Sequence, residues 1–506
     1  MTQPMAARKT AVSHWRFHRN VLIYIGILMS LIGAMAWAER WGLSRNLIGP
    51  IFLFSTVMIY ALIGISSRTT DEDEYYVAGR RVPALYNGMA TAADWMSAAS
   101  FISLAGALYL QGFSGSGQQP GGLAYVMGWT GGFCLVALLI APHLRALKLY
   151  TLPDYFDRRY GGRWPRIIAA LASVLCSFTY VVAQIYGIGL IASRLTGVQF
   201  EIGILLGLGG VLLCSFLGGM RAITWTQVAQ YIMLLLAFMI PVSWLAYKQL
   251  GNPLAPLVYG QQLAHIEAIE KKLINDPAEI EVRQEFARRA QVFEARLENV
   301  EQSMVQLRQE LEEQIRVLKA QSADYASIAQ ARRALLAVPR DAASAREQWT
   351  RAMHENRDRA KPLGGMPVHA QAFAGNPEGS PEEVKLFGES RLNFLALVFC
   401  LMVGTAGLPH LLTRFYTVPS VAQARSSVAW SLFFIGLLYL SVPALAVLVK
   451  FEVLNNLVGS SFEELPGWMA QWARLDSALL EFSDVNKAYL DLGGQVGVVA
   501  AGGIGA

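Results

Sequence analysis

The fold of this chain is decided by the run SSVAWSLFFIGLLYLSVPALAVLV, residues 426–449, which holds 24 positions and no charged side chain. As an α-helix this run would be about 36 Å long, enough to cross a hydrocarbon layer of about 30 Å. A continuous apolar run of this length is typical of a transmembrane helix and too long for a buried strand. The same pattern recurs along the chain.

Nine uncharged or nearly uncharged runs are long enough to span a bilayer, and a tenth lies at 492–506. Hydrophobic residues make up 54% of the chain, which also departs from the composition of soluble domains. We therefore predict an all-α polytopic membrane protein. The nine runs are 21–38, 47–65, 86–110, 121–141, 167–193, 202–220, 222–247, 392–413 and 426–449.

Lys and Arg are unevenly distributed among the segments that join these runs. If the N-terminus is cytoplasmic, the inside segments hold 16 Lys and Arg and the short outside loops hold three. Because cytoplasmic loops are enriched in basic residues, this count predicts a cytoplasmic N-terminus in the cell inner (plasma) membrane. The net charge of +5 is then a topology signal and no indication of nucleic-acid binding.

The sequence gives little evidence for an enzyme. It contains no G-x-x-x-x-G-K-[ST] loop, no H-E-x-x-H motif and no cysteine–histidine cluster with metal-ligand spacing. We therefore expect a protein that is not an enzyme, that has no organic cofactor and that binds no transition metal.

One region, 250–388, breaks the membrane pattern with 18 Lys/Arg and 20 Asp/Glu in 139 positions. Its heptad-like spacing predicts a coiled-coil-like, soluble helical hairpin outside the cytoplasm, with a second helical stretch at about 324–360. The alternative is a docking arm for a protein partner. The predicted seam consists of Leu297, Val300, Met304, Leu307, Leu311, Gln314 and Leu318.

The stretch ATAADWMSAASF, 90–101, places the carboxylate of Asp94 inside an apolar run. Polar residues recur there at every third position, and on a regular helix this spacing does not keep them on one face. Either these residues contact different neighbouring helices or the helix is broken. A carboxylate at membrane depth is paired, faces water or binds a cation; the alternative role is a structural hydrogen-bond anchor. The polar positions are Thr91, Asp94, Ser97, Ser100 and Ser103.

The stretch VGTAGLPHLLTRFY, 403–416, weakens a second spanning run with Gly404, Gly407 and Pro409. Backbone groups freed at such a point can form an ion or carboxylate site, although a simple proline kink is the alternative. We interpret Arg414 as marking the cytoplasmic boundary. His410 is either a proton-linked group or a packing residue.

A third polar pattern lies in SFTYVVAQIYG, 177–187, where Ser177, Tyr180, Gln184 and Gly187 share one helix face. This face either lines a pathway or holds helices together through hydrogen bonds.

Taken together, four segments resemble the sodium/solute symporter family, and most of all its acetate-permease (cation/acetate symporter) branch. The resemblance covers about 66–250 and 391–450. The segments are YYVAGRRVPALYNGMATAADWMSAASFISLAG, LRALKLYTLPDYFDRRYG, FLGGMRAITWTQVAQYIMLLL and LMVGTAGLPHLLTRFYTV.

The resemblance implies a leucine-transporter-like core of two inverted five-helix repeats, in which runs 86–110 and 392–413 are discontinuous. It assigns sodium to the backbone carbonyls of Ala93 and Met96, with Asp94 beside them. A small organic anion would lie near the two helix breaks. The residues expected to bind it are Ser97, Ser100, Gly404, Thr405, Gly407 and Gln184.

The expected organisation has four parts: 1–85, a cytoplasmic tail and two peripheral helices; 86–249, the first repeat; 250–388, the insert; and 389–506, an incomplete second repeat. The final GGQVGVVAAGGIGA looks like the start of the eighth core helix, so we expect a truncated chain that lacks part of its sodium site.

The predicted function is sodium-coupled symport of a small monocarboxylate, with acetate as the first candidate, by alternating access. One alternative is symport of another solute, such as proline, a sugar or another organic acid. The other is a transporter-like sensor or scaffold that does not transport. Sodium versus proton coupling stays open.

Overall fold

The computed structural model describes residues 4–97, 100, 103–116, 119–321, 325–461, 464–470 and 496–499. Its first helices are α1 (Pro4–Arg40), α2 (Arg45–Ser66), α3 (Glu72–Val77), α4 (Ala84–Trp95), α5 (Leu104–Gln111), α6 (Gly122–Leu135), α7 (Ala141–Ala146), α8 (Leu152–Tyr160), α9 (Arg163–Thr196) and α10 (Phe200–Leu250). They are followed by α11 (Ala255–Val258), α12 (Gly260–Ile274), α13 (Pro277–Glu298), α14 (Val300–Ala320), α15 (Tyr325–Ala337), α16 (Ala342–Arg359), α17 (Pro381–Ala406), α18 (Pro409–Leu412) and α19 (Val421–Asn456). The predicted all-α class is confirmed.

Within the described residues, seven helical segments are long and apolar enough to cross a membrane. They match seven of the nine predicted runs, which confirms a polytopic membrane protein. Run 86–110 differs because it is broken between α4 and α5. Run 202–220 forms the first part of α10, which bends at Gly219 (φ +50°). Glycine tolerates this conformation because it has no Cβ, and the bend lies at the predicted boundary between runs 202–220 and 222–247.

The described residues form two units. The first unit holds those of 1–108, 120–259 and 375–446, and the second unit holds those of 109–119, 260–374 and 447–506. The four parts expected from the sequence follow chain order instead, and they stay a prediction.

In the first unit, helices approach closely where glycine faces a larger side chain. α6 packs along α17, and α10 packs along α2, α4 and α9. A Cβ on Gly128 of α6 would lie 2.6 Å from Leu401 Cβ, and one on Gly132 would lie 2.5 Å from Thr405 Cβ. Since lipid tails are as apolar as the side chains, such close packing supplies much of the association between membrane helices.

In the second unit, most of the charged region forms the predicted helical hairpin. α13 and α14 form one arm and α15 and α16 form the other, so that α13 lies along α16 and α14 along α15. Side chains of Asp276, Asn299 and Asp341 accept hydrogen bonds from the first turns of α13, α14 and α16. These caps satisfy backbone donors that the helices themselves leave free.

The core of the hairpin consists of Val300, Met304 and Trp349, with Ala345 between the arms. The predicted seam is therefore correct at its centre but wrong at Gln314, which is exposed, whereas the adjacent Ile315 is buried. The reason is geometric: a straight helix repeats every 3.6 residues and drifts away from a 3.5-residue heptad.

A second core in this unit joins segments that are distant along the chain. The described residues 496–499 take part, because Val496 exchanges backbone hydrogen bonds with Gly459 (2.7 Å) and Ser460 (2.8 Å). The rest of the predicted helix start at 492–506 lies outside the described residues. The buried members are Tyr109, Val282, Phe286, Val453, Leu457, Met469 and Val496.

Candidate functional site

The first feature of the site is the predicted break after α4. Met96 has φ −78° and ψ 69°, which is not helical. The Ser97 N–H donates to the Trp95 carbonyl (2.9 Å). In a continuous helix that N–H would have bonded the carbonyl of Ala93, four residues back. The Ala93 carbonyl is thereby released from the helical ladder.

A second break separates α17 from α18. α17 ends at Ala406, and the Gly407 N–H donates to the Gly404 carbonyl (3.2 Å) in a tightened last turn. Pro409 then begins α18, where its missing N–H and fixed φ suit the first helical position. Both helices that were predicted to be discontinuous are interrupted.

α6 contacts both breaks through two adjacent residues. Gly132 faces the side chain of Thr405, next to the second break. Phe133 packs edge-on against Trp95, at the first break, with ring centroids 5.9 Å apart. Thr405 is buried in this helix contact, and its predicted role in substrate binding stays a prediction.

Asp94 forms a buried ion pair with Arg414. Arg414 Nε donates to Asp94 Oδ2 at 2.5 Å, and the two side chains are only 2% and 12% exposed. Arg414, interpreted from the sequence as a boundary marker, lies instead in a buried 3₁₀ turn, Thr413–Tyr416. A carboxylate at membrane depth is commonly paired, and here its partner is 320 positions away along the chain.

Two polar residues of α10 hold the two charges separately. Gln227 Nε2 donates to Asp94 Oδ1. Thr224 Oγ1 accepts from Arg414 Nη1 (2.9 Å) and donates to the Met220 carbonyl (2.7 Å). The Gln227 Oε1 atom is buried and has no hydrogen-bond partner among the described residues.

The backbone of the Arg414 turn is fixed by Asn87 of α4. Asn87 Nδ2 donates to the Arg414 carbonyl (3.3 Å) and to Ser427 Oγ (2.7 Å). Thr417 Oγ1 donates to Asn87 Oδ1 (2.9 Å). The Asp94 helix, the Arg414 turn and α19 are thus connected by fully buried hydrogen bonds.

The polar face of α9 reaches the same place. Tyr180 OH donates to the Asp94 carbonyl (3.3 Å), and its ring stacks on His410 with centroids 4.6 Å apart. His410 therefore packs on an aromatic ring next to the second break. Gln184, one turn further along α9, is half-buried.

Ser100 extends the site toward α19. Its hydroxyl donates to the Trp95 carbonyl (3.3 Å) and lies 2.9 Å from Tyr439 OH. Trp129 stacks on Tyr439 with centroids 6.2 Å apart. Ser97 is half-buried at the break itself.

Sequence reasoning selected Asp94 and Tyr180 but missed the residues that hold Asp94 and Arg414. Thr224 and Gln227 are polar positions inside the apolar run of α10, which is a recognisable signal of an intramembrane polar site. Asn87 carries the same signal in α4. The roles predicted for Ala93, Met96, Asp94 and the substrate residues stay predictions.

The chain is similar in sequence to known symporters. Residues 75–290 match the family model described as the sodium:solute symporter family. A protein of Cupriavidus necator named as an uncharacterized symporter is 48% identical over 481 residues, 93% of this chain and 68% of that protein. A structure described as the substrate-bound outward-open state of a Na⁺-coupled sialic acid symporter is 18% identical, with a TM-score of 0.34 over 89% of this chain and 84% of that one.

Proposed function

The chain belongs to the sodium:solute symporter family, and on that premise we propose that it couples sodium to the uptake of a small monocarboxylate, with acetate as the first candidate. The proposal places it in the cell inner membrane with a cytoplasmic N-terminus, working by alternating access. Two inverted repeats around interrupted helices would supply the moving parts.

The sodium part of the proposal is carried by the break after α4. The Ala93 carbonyl has lost its helical donor, and the Met96 carbonyl lies in non-helical backbone beside it. The Asp94 carboxylate and the orphaned Gln227 Oε1 add oxygen atoms near the same point. Hard cations are bound by carbonyl and carboxylate oxygens, and unwound helix carbonyls are the usual source in transporters.

The substrate part rests on the second break and on Arg414. A small carboxylate needs hydrogen-bond donors and a positive charge in a site with little water. The buried guanidinium of Arg414 supplies the charge, and the Ser100–Tyr439 hydroxyl pair supplies donors. The predicted positions Gly404, Gly407 and Gln184 complete the region that we propose for the anion.

Coupling then follows from differential binding. A ligand shifts a conformational equilibrium only by as much as it binds one state better than the other. Sodium bound at the first break would favour the state in which the anion site is complete, so that the sodium gradient drives uptake.

The test is uptake of radiolabelled acetate by the purified full chain in proteoliposomes, with an imposed sodium gradient or an imposed proton gradient. Lactate, pyruvate and proline serve as competitors. Acetate uptake that depends on sodium supports the proposal; uptake driven by the proton gradient alone contradicts sodium coupling. Sodium-dependent uptake of proline with no effect of acetate contradicts the substrate.

Asp94→Asn is the matched variant for the sodium site. Loss of a charged partner is worth about 1.5–3 kcal/mol, so sodium-dependent uptake per amount of folded protein should fall about 10- to 150-fold. Glu74→Gln is the control, since Glu74 pairs with Arg221 outside the predicted site. Equal sodium dependence in Asp94→Asn and wild type would exclude Asp94 from the sodium site.

A further inference from the structure

The Asp94–Arg414 ion pair differs from the Arg221–Glu74 pair, which joins α10 to α3. Arg221 and Glu74 are 39% and 29% exposed, whereas Arg414 and Asp94 are 2% and 12% exposed. An exposed pair is screened by water at little cost. A buried pair often contributes nothing to stability compared with an apolar pair of similar volume, so stability alone does not explain why two charges lie there.

Each of the two charges has its own neutral tether on α10. Gln227 holds Asp94, and Thr224 holds Arg414 (2.9 Å). Positions 224 and 227 lie one turn apart on the same helix face. Because the tethers are separate, the two charges can part while each keeps one protein hydrogen bond.

The guanidinium of Arg414 has more N–H donors than its contacts with the described residues use. Its contacts with the described residues use Nε, toward Asp94, and Nη1, toward Thr224. A guanidinium carries five N–H groups in a planar fork that matches a carboxylate. If the Asp94 carboxylate left, another carboxylate could take its place on Arg414 with the same geometry.

We propose that the two transported ions replace the two halves of this ion pair: sodium takes the place of Arg414 on Asp94, and the substrate carboxylate takes the place of Asp94 on Arg414. This inference rests on the proposed function and names its substrate class, a small anion with one carboxylate. Arg414 is then the residue that binds the substrate carboxylate.

Charge balance explains how the exchange would couple sodium binding to substrate binding. The empty pair has no net charge, and the site with both ions bound has none either, since two positive and two negative charges are present. Sodium alone or the anion alone would leave one uncompensated charge in a buried site, which is strongly unfavourable. Each ion therefore binds well only when the other is bound.

The experiment measures binding of radioactive sodium to the purified full chain with and without acetate, and binding of radiolabelled acetate with and without sodium. In the wild type each ion should raise the affinity for the other by the same factor, about 5- to 150-fold. In Arg414→Gln this factor should fall to about 1 while sodium still binds. In Asp94→Asn acetate should bind without any effect of sodium.

The double variant Asp94→Asn/Arg414→Gln separates this role from a structural one. Two neutral amides can hydrogen-bond each other. If the role of the ion pair were only structural, the double variant would restore it and would couple sodium and acetate as the wild type does. That result would overturn the proposal. We expect instead a folded double variant that shows no coupling between sodium and acetate. Arg221→Gln is the control, and its coupling factor should equal that of the wild type.

The outcomes distinguish this inference from the proposed function. If acetate and sodium do not affect each other in the wild type, the proposed function itself is wrong and the exchange falls with it. If they are coupled in the wild type and equally coupled in Arg414→Gln, the proposed function stands and only the exchange is wrong.

Discussion

Lys450→Met is expected to loosen the second unit, because it removes one half of a fully buried ion pair. Lys450 Nζ lies 2.8 Å from Glu270 Oε1, and the two side chains are 1% and 0% exposed. The His369 N–H also donates to both oxygens of this carboxylate, at 3.3 and 3.1 Å. Lys450 in turn lies 5.9 Å above the ring of Tyr109. The pair thus connects three segments of the second unit.

Removing one partner of a buried pair costs about 3–5 kcal/mol, because the other charge is left without compensation. Glu270 would retain the His369 N–H, so the lower half of this range is expected. Since each 1.4 kcal/mol is a factor of ten, local opening should become about 100- to 700-fold more frequent. The double variant Glu270→Gln/Lys450→Met removes both charges and should recover most of the loss.

The measurement is hydrogen–deuterium exchange of the purified protein, followed in peptides from α12 and from 366–374. Peptides from α17, in the first unit, serve as the internal reference. The reasoning is refuted if Lys450→Met changes exchange in α12 by less than about threefold. It is also refuted if the double variant exchanges as fast as the single one, because the loss would then come from packing and not from charge.

Three further predictions follow from individual positions. Burial, together with the positive charge of Lys450, holds the pKa of His369 well below its usual 6.5. As the pH falls, the unfolded chain therefore takes up a proton before the folded chain does. The protection of 366–374 from hydrogen exchange should fall as the pH drops below about 6.5, by up to about 1.4 kcal/mol per pH unit. Gly219→Ala should lower the thermal stability of the purified protein by about 1–3 kcal/mol from backbone strain at φ +50° alone. Gly132→Val should force α6 away from Thr405 and cost about 1–3 kcal/mol, with reduced uptake in proteoliposomes.

Each of these has a matched control. His369→Gln should remove the part of the pH dependence that belongs to the imidazole; an unchanged profile would assign it to another group. Gly436→Ala tests the glycine predictions, since a Cβ there would meet no atom within 4 Å. If Gly436→Ala lowers stability as much as Gly219→Ala or Gly132→Val, the backbone strain at Gly219 and the contact at Gly132 are not the cause.

The membrane-spanning helices could be predicted from sequence because their signal is local. Run 426–449 is apolar along its whole length, and α19 covers it without interruption. The break at Pro409 could also be located, since glycine and proline act on their own backbone. The bend at Gly219 was not predicted as a bend, but it lies at the boundary between two predicted runs. The heptad seam failed at Gln314 because a straight helix with 3.6 residues per turn drifts away from a 3.5-residue repeat.

The site could be predicted only in part, because its contacts are not local. Asp94 was recognisable because a charge in an apolar membrane-spanning run is energetically unfavourable. Its partner could have been any basic or polar group brought to the same depth by the fold, and Arg414 lies 320 positions away. No periodicity or spacing connects two residues at that separation, so the pairing required the three-dimensional structure.

The Glu270–Lys450 pair has a consequence for biosynthesis. Glu270 leaves the ribosome 180 residues before Lys450, and at about 5–20 residues per second that interval lasts about 10 to 40 s. The hairpin arms α13–α16 find their partners within the insert and can assemble during this time. α12 cannot bury its carboxylate until the countercharge has been made. In the nascent chain, α12 should therefore stay exposed to water, and accessible to proteases and folding factors, until the last part of α19 has been synthesised.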